Sequence, residues 1–146
     1  MPEHHFFLTA DWPGGRNSSG TITAGHLKTD ISIPVEMGGP GIGTNPDEML
    51  LGAAATCYII SLAALLERAG IEVKSLQQQS EAIVEVENGI FTYKKIIHRP
   101  VISLQTLATD KERKLAEKLA RKAEKTCMIS KAVKGNVEIA LEATIH

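Results

Sequence analysis

The sequence predicts an α+β fold, with one domain over residues 1–146 and the element order β-β-β-α-β-β-α-β. Three observations predict it. Residues 6–35 hold three short alternating stretches separated by turn residues. Residues 41–70 then pass from a glycine-rich loop into the most apolar helical pattern of the chain. Beyond that come two strands around Asn88-Gly89, a charged helical pattern and a last alternating stretch. Strands grouped in this way, without strict βαβ alternation, indicate α+β rather than a doubly wound sheet.

Phe6 to Ala10 reads as a first strand, and Asp11 to Asn17 (Asp-Trp-Pro-Gly-Gly-Arg-Asn) as a turn. Gly20 to Ala24 is a second strand. Leu27 to Val35 is a third, with Leu27, Thr29, Ile31, Ile33 and Val35 on one face. Gly38 to Gly43 reads as a flexible approach to a helix. That helix starts at Thr44-Asn45-Pro46-Asp47-Glu48: Asn45 suits the N-cap, Pro46 the first turn, and two acids complement the positive dipole end. Gly70 suits its C-terminal cap. Val73 to Val86 and Ile90 to Leu104 are strands joined by Asn88-Gly89, with Pro100 marking an edge or a bulge. Asp110 caps a helix with Leu115, Leu119 and Ala123 on its apolar side, running to Thr126-Cys127. Met128 to Val133 is a short further helix, and Val137 to Ile145 the last strand.

Composition bounds the function. The chain of 146 residues, 43% hydrophobic and 23% charged with net charge −1, is ordinary for a soluble globular domain. Its cations are scattered outside 111–125, which argues against nucleic acid or an anionic membrane as partner. The run from Met49 to Leu66, interrupted by Gly52, Thr56 and Ser61, reads as a core helix too weak for a membrane span. With no signal-peptide pattern at Met1 to His5, a cytoplasmic location is the expectation.

The chemistry-bearing residues are few. Cys57 and Cys127 are the two cysteines. Taken alone, each reads as a small buried hydrophobe. Arg16 alone is a solvated turn residue, and Asp47 and Glu48 are first-turn helix acids. The glycine run lacks G-K-[ST] and has no dinucleotide fingerprint. The five histidines are dispersed without metal-ligand spacing. No cofactor or metal is therefore expected.

Two stretches together say more. G-T-N-P-D-E-M-L-L-G-A-A-A-T-C at 43–57 and C-M-I-S-K-A-V-K-G-N-V-E-I at 127–139 resemble the two cysteine motifs of the OsmC/Ohr family of thiol-dependent hydroperoxide peroxidases. Gly14-Gly15-Arg16 resembles the arginine-bearing loop of the Ohr branch. The resemblance covers nearly the whole chain. It implies antiparallel sheets packed around two central helices in an intertwined homodimer. It also implies Cys57 as peroxidatic cysteine, Cys127 as resolving cysteine and Arg16 as activating arginine. Asp47 falls where the Ohr branch carries a glutamate that orients the arginine, and Glu48 is a substitute for it. Cys127-Met128-Ile129-Ser130 departs from the C-P-Y-S of that branch, so the resemblance is to the wider family.

Peroxide reduction needs a thiolate, and an ordinary cysteine near pKa 8.5 is mostly protonated at neutral pH. Burial raises that value further, and Cys57 lies about three turns into its helix, beyond the reach of the dipole. A cation is therefore expected, and Arg16 is the candidate. Asp47 and Cys57 are ten residues apart, roughly 15 Å along a straight helix. Either Arg16 spans them, or the helix breaks near Gly52, or the groups come from two chains. The resulting expectation is an organic hydroperoxide substrate, favoured by Met37, Ile42, Leu50, Met128 and Ile129. The intermediates are a Cys57 sulfenic acid and a Cys57–Cys127 disulfide, and the resemblance implies a dithiol reductant of lipoyl type. The alternatives are a redox sensor without turnover or a binder of a small apolar ligand.

Overall fold

The computed structural model describes all 146 residues. Backbone contacts divide them into two compact units, Met1–Met49 and Leu50–His146.

The first unit is a three-stranded antiparallel sheet, β1 (Thr9–Asp11), β2 (Gly20–Ala24) and β3 (Leu27–Ile31), in chain order. Both outer strands differ from the sequence reading. β1 starts three residues later, and Phe6, Phe7 and Leu8 are exposed. β3 stops at Ile31, because Val35–Met37 coils into a short 3₁₀ turn. The glycine run that follows is not a loose approach. It folds back along residues 30–34: Gly41 N–H bonds Ile33 O (3.1 Å), Thr44 N–H bonds Asp30 O (2.9 Å), and Ile42 N–H bonds Ser32 Oγ (2.7 Å). This closeness is what Gly43 serves. Its φ is 69°, and a Cβ there would overlap the Asp30 carbonyl.

Helix α1 (Pro46–Arg68) starts as its sequence predicts. Asn45 Oδ1 accepts from the Glu48 N–H at 2.9 Å, and Thr44 Oγ1 donates to Glu48 Oε1 at 2.8 Å. It runs unbroken through Gly52, which removes the reading in which the helix breaks there. At its end Gly70, at φ 73°, lets the Ile71 N–H return to Leu66 O. One expectation is corrected. By length and composition α1 is apolar enough to cross a membrane. Its alanines, leucines and isoleucines outweigh the three small interruptions. Ala54, Tyr58, Leu62 and Leu66 nonetheless form a buried stripe at helical spacing, as a core helix requires. Gly52, Thr56, Ile60, Ala63 and Glu67 lie along an exposed stripe.

In the second unit β4 (Val73–Glu87) and β5 (Ile90–Leu104) form a long hairpin. Asn88 (φ 53°) and Gly89 (φ 74°) make the turn, as that dipeptide predicts. The last predicted strand is two strands, β6 (Glu138–Leu141) and β7 (Thr144–Ile145). Both pair parallel with β5, so this sheet is mixed rather than wholly antiparallel. Pro100 explains the interruption. His98 O accepts from Glu142 N–H and Ile102 O from His146 N–H, so alternate residues of β5 face the last segment, Pro100 among them. Pro100 has no N–H to offer, and it sits where β6 has ended and β7 has not begun.

Helix α2 (Asp110–Thr126) is capped by Thr109, not Asp110. Thr109 and Glu112 exchange the two bonds of a capping box. Its buried stripe is Ala116, Leu119, Ala120 and Ala123, while Leu115 faces outward. Small alanines allow α2 to lie close to its neighbours. One core gathers Tyr58, Leu62 and Leu66 of α1, Ile102 and Leu104 of β5, and this face of α2. A smaller cluster gathers Ala54, Ile96 and Val137, with Ile129 and Val133 against it.

Candidate functional site

Cys127 sits at a break between two helices. Its N–H bonds Ala123 O and ends α2, while its own carbonyl accepts from Lys131 N–H and begins α3 (Met128–Val133). Its extended backbone (φ −61°, ψ 122°) makes the corner. A new helix start leaves its first N–H groups without intrahelical partners. Two of these, on Met128 and Ile129, act on Cys57 and lower its pKa.

Cys57 is half-buried on α1, and Cys127 is fully buried; both are free thiols. The Cys57 sulfur is ringed by donors: the Cys127 thiol, the N–H groups of Ile129 and Met128, and the Ser61 hydroxyl. Ser61 is one turn further along α1, on the same face. Burial pushes the Cys57 thiol up, but the donors together outweigh burial and hold it below an ordinary cysteine. Cys127 moves the other way. Burial raises it, its bond to Cys57 raises it further, and Ser130 offsets this only in part. The pair is therefore divided into a thiolate-prone Cys57 and a proton-holding Cys127. The expectation that a cation is needed to overcome burial missed these neutral donors.

A partly buried polar cluster positions the helix turn that carries Cys57. Gln78 Nε2 donates to Ala55 O (3.3 Å) and to Ser80 Oγ (2.8 Å). Ser80 Oγ lies 2.7 Å from His98 Nδ1, and the His98 ring stacks on Tyr58 at 4.8 Å. Tyr58 donates in turn to Ala120 O at 2.8 Å. Burial pulls the His98 imidazole down to about 4, so it is neutral at physiological pH.

The first unit holds the other two predicted residues. Arg16 is exposed, and its guanidinium donates to Met37 O (3.0 Å), Gly38 O (3.4 Å) and Asn17 Oδ1 (2.9 Å). Asp47 is half-buried in the first turn of α1, and Glu48 is engaged by Thr44. Of the predicted residues, then, the structure brings Cys57 and Cys127 together. Sequence reasoning missed Ser61, Ser130 and the two N–H groups. The i, i+4 spacing of Ser61 and the C-x-x-S spacing of Ser130 were the available signals.

A protein-family model described as OsmC-like protein matches residues 38–142, which include both cysteines. The chain belongs to the OsmC-like family. Within it, the chain is 62% identical over 145 residues to the uncharacterized protein YmaD of Bacillus subtilis (strain 168), covering 99% of this chain and 97% of that one. It is 28% identical over 130 residues to the organic hydroperoxide resistance protein OhrB of the same organism, covering 88% of this chain and 90% of OhrB. Among solved structures, an organic hydroperoxide resistance protein OsmC from Legionella pneumophila superimposes with a TM-score of 0.76 at 26% identity, covering 97% of this chain and 99% of that one. The α+β architecture is thus the OsmC-like one.

Proposed function

We propose that this OsmC-like protein is a thiol-dependent peroxidase that reduces organic hydroperoxides. The observation that carries the reading is the divided cysteine pair: Cys57 held below the ordinary thiol range by four donors, and Cys127 holding its proton beside it. The Cys57 thiolate attacks the O–O bond, becoming a sulfenic acid while the alkoxide leaves and is protonated to the alcohol. The Cys127 thiol then condenses with the sulfenic acid, releasing water and leaving a Cys57–Cys127 disulfide. A dithiol reductant, of lipoyl type by family analogy, returns both thiols as it becomes a disulfide itself.

Arg16 as activating cation and Asp47 as its orienting carboxylate are carried in this proposal on the resemblance. The donors already on Cys57 make Arg16 more useful to the peroxide oxygens than to the thiol. The homodimer is part of the proposal too, supported by the exposed stripe of α1 that contains Ile60, 68% exposed. Residues 1–146 are taken as one functional domain in the cytoplasm.

The test is thiol titration before and after one equivalent of cumene hydroperoxide. Loss of two thiols with a mapped Cys57–Cys127 disulfide is expected. Survival of both thiols sinks the reading. Multiple turnovers with dihydrolipoamide separate a peroxidase from a sensor that oxidises once.

A further inference from the structure

We propose that Ser130 is the positioning residue of the disulfide-forming step, its hydroxyl being a donor set in place for the negative charge that develops on the Cys127 sulfur. The inference rests on the disulfide chemistry proposed above. Ser130 occupies the third position of α3, and Cys127 is the N-cap of that helix. The N-cap-to-third-residue spacing places the two side chains at the same helix end, where no side-chain cap bond forms. Ser130 is only 5% exposed, and its Oγ is sealed from water without a satisfying hydrogen bond. Leaving a buried hydroxyl unpaired is unfavourable, so its presence asks for a reason.

The neighbour it acts on is the Cys127 sulfur. At rest that sulfur is a neutral thiol, a weak acceptor that leaves the hydroxyl unsatisfied. During disulfide formation the S–S bond forms as the S–O bond of Cys57 sulfenic acid breaks. The Cys127 proton passes to the sulfenic oxygen ahead of S–S bond formation, so the sulfur attacks with thiolate character and the oxygen leaves as water. The Cys57 sulfur is reduced to the disulfide level and the Cys127 sulfur oxidised to it, so no further reactant is needed. Thiolate character on Cys127 turns a poor acceptor into a strong one, and the waiting hydroxyl meets it without rearrangement.

The experiment uses the full chain with Ser130→Ala and Ser130→Thr, one equivalent of cumene hydroperoxide, and rapid quenching with dimedone to trap sulfenic acid. In Ser130→Ala, Cys57 should still be oxidised by the hydroperoxide. Disulfide formation should slow by roughly ten- to hundredfold, the kinetic equivalent of one hydrogen bond to a charged group. Trapped sulfenic acid should accumulate, and Ser130→Thr should restore closure. The melting temperature of Ser130→Ala should not fall, since removing an unsatisfied hydroxyl is close to neutral. Disulfide formation at the native rate in Ser130→Ala overturns the proposal. So does a variant that unfolds or loses both steps together, which is the signature of a packing role. A native protein that consumes no hydroperoxide is a different result, and it removes the peroxidase reading along with the Ser130 role.

Discussion

Burial raises both the Cys57 and the Cys127 thiols, and the hydrogen bond between them then separates their acidities, lowering Cys57 and raising Cys127. The same proton that favours the Cys57 thiolate is the one Cys127 must give up later. One bond thus links the two cysteines before any covalent bond does.

Replacing Cys127 should therefore change Cys57. In Cys127→Ala the donor is lost, and the pH profile of Cys57 alkylation should move to higher pH. In Cys127→Ser a hydroxyl donor remains, and the profile should stay near the native one. Neither variant forms the disulfide. Iodoacetamide rates across pH check this; coincident profiles for the two variants would show that the bond does not tune Cys57.

His98 makes stability depend on pH. It is fully buried and held neutral, down to about 4, against an unfolded value near 6.5. Between those values the unfolded chain binds the proton and the folded chain does not. The His98 contribution is thus complete above about pH 6.5 and is lost as pH falls through about 4, up to about 3 kcal/mol. Urea unfolding at pH 7 and pH 4.5 measures it. Across that interval His98→Asn should show a shallower slope than the native chain.

Much of this fold was legible from local chemistry. Asn45-Pro46, Asn88-Gly89 and Gly70 act through backbone demands that belong to a few residues, and each did what its sequence predicts. The face of α2 was less legible, because Leu115 and Leu119 both suit a core and only packing chose Leu119 with Ala116. The cysteine pair was legible only as two matching motifs seventy residues apart. Its donors were not. The N–H groups of Met128 and Ile129 are free because Cys127 breaks one helix and starts another, and tertiary packing brings that corner to Cys57.

Tyr58 ties the turn beside Cys57 to α2. Burial, aided by the charge of Glu124, pushes its phenol up, so it keeps the proton it donates to Ala120 O. Tyr58→Phe should cost about 1 kcal/mol for that bond. Tyr58→Ala should cost about 3–5 kcal/mol, as aromatic core truncations do, and should also unstack His98. Chemical denaturation ranks the two; equal costs would mean that the hydroxyl, not the ring, holds the site.

The exposed stripe of α1 tests the proposed homodimer. Ile60 is 68% exposed on a helix whose other face, at Tyr58, Leu62 and Leu66, is fully packed. Water on so apolar a helix is unfavourable, and a second copy would cover it. Ile60→Asp puts a charge on that stripe without touching the buried one. Light scattering should find two native chains together and a single chain for Ile60→Asp, with the far-ultraviolet circular dichroism of both alike. A native chain that is already single at tens of micromolar, or an Ile60→Asp variant that remains paired, removes this face of α1 from the interface.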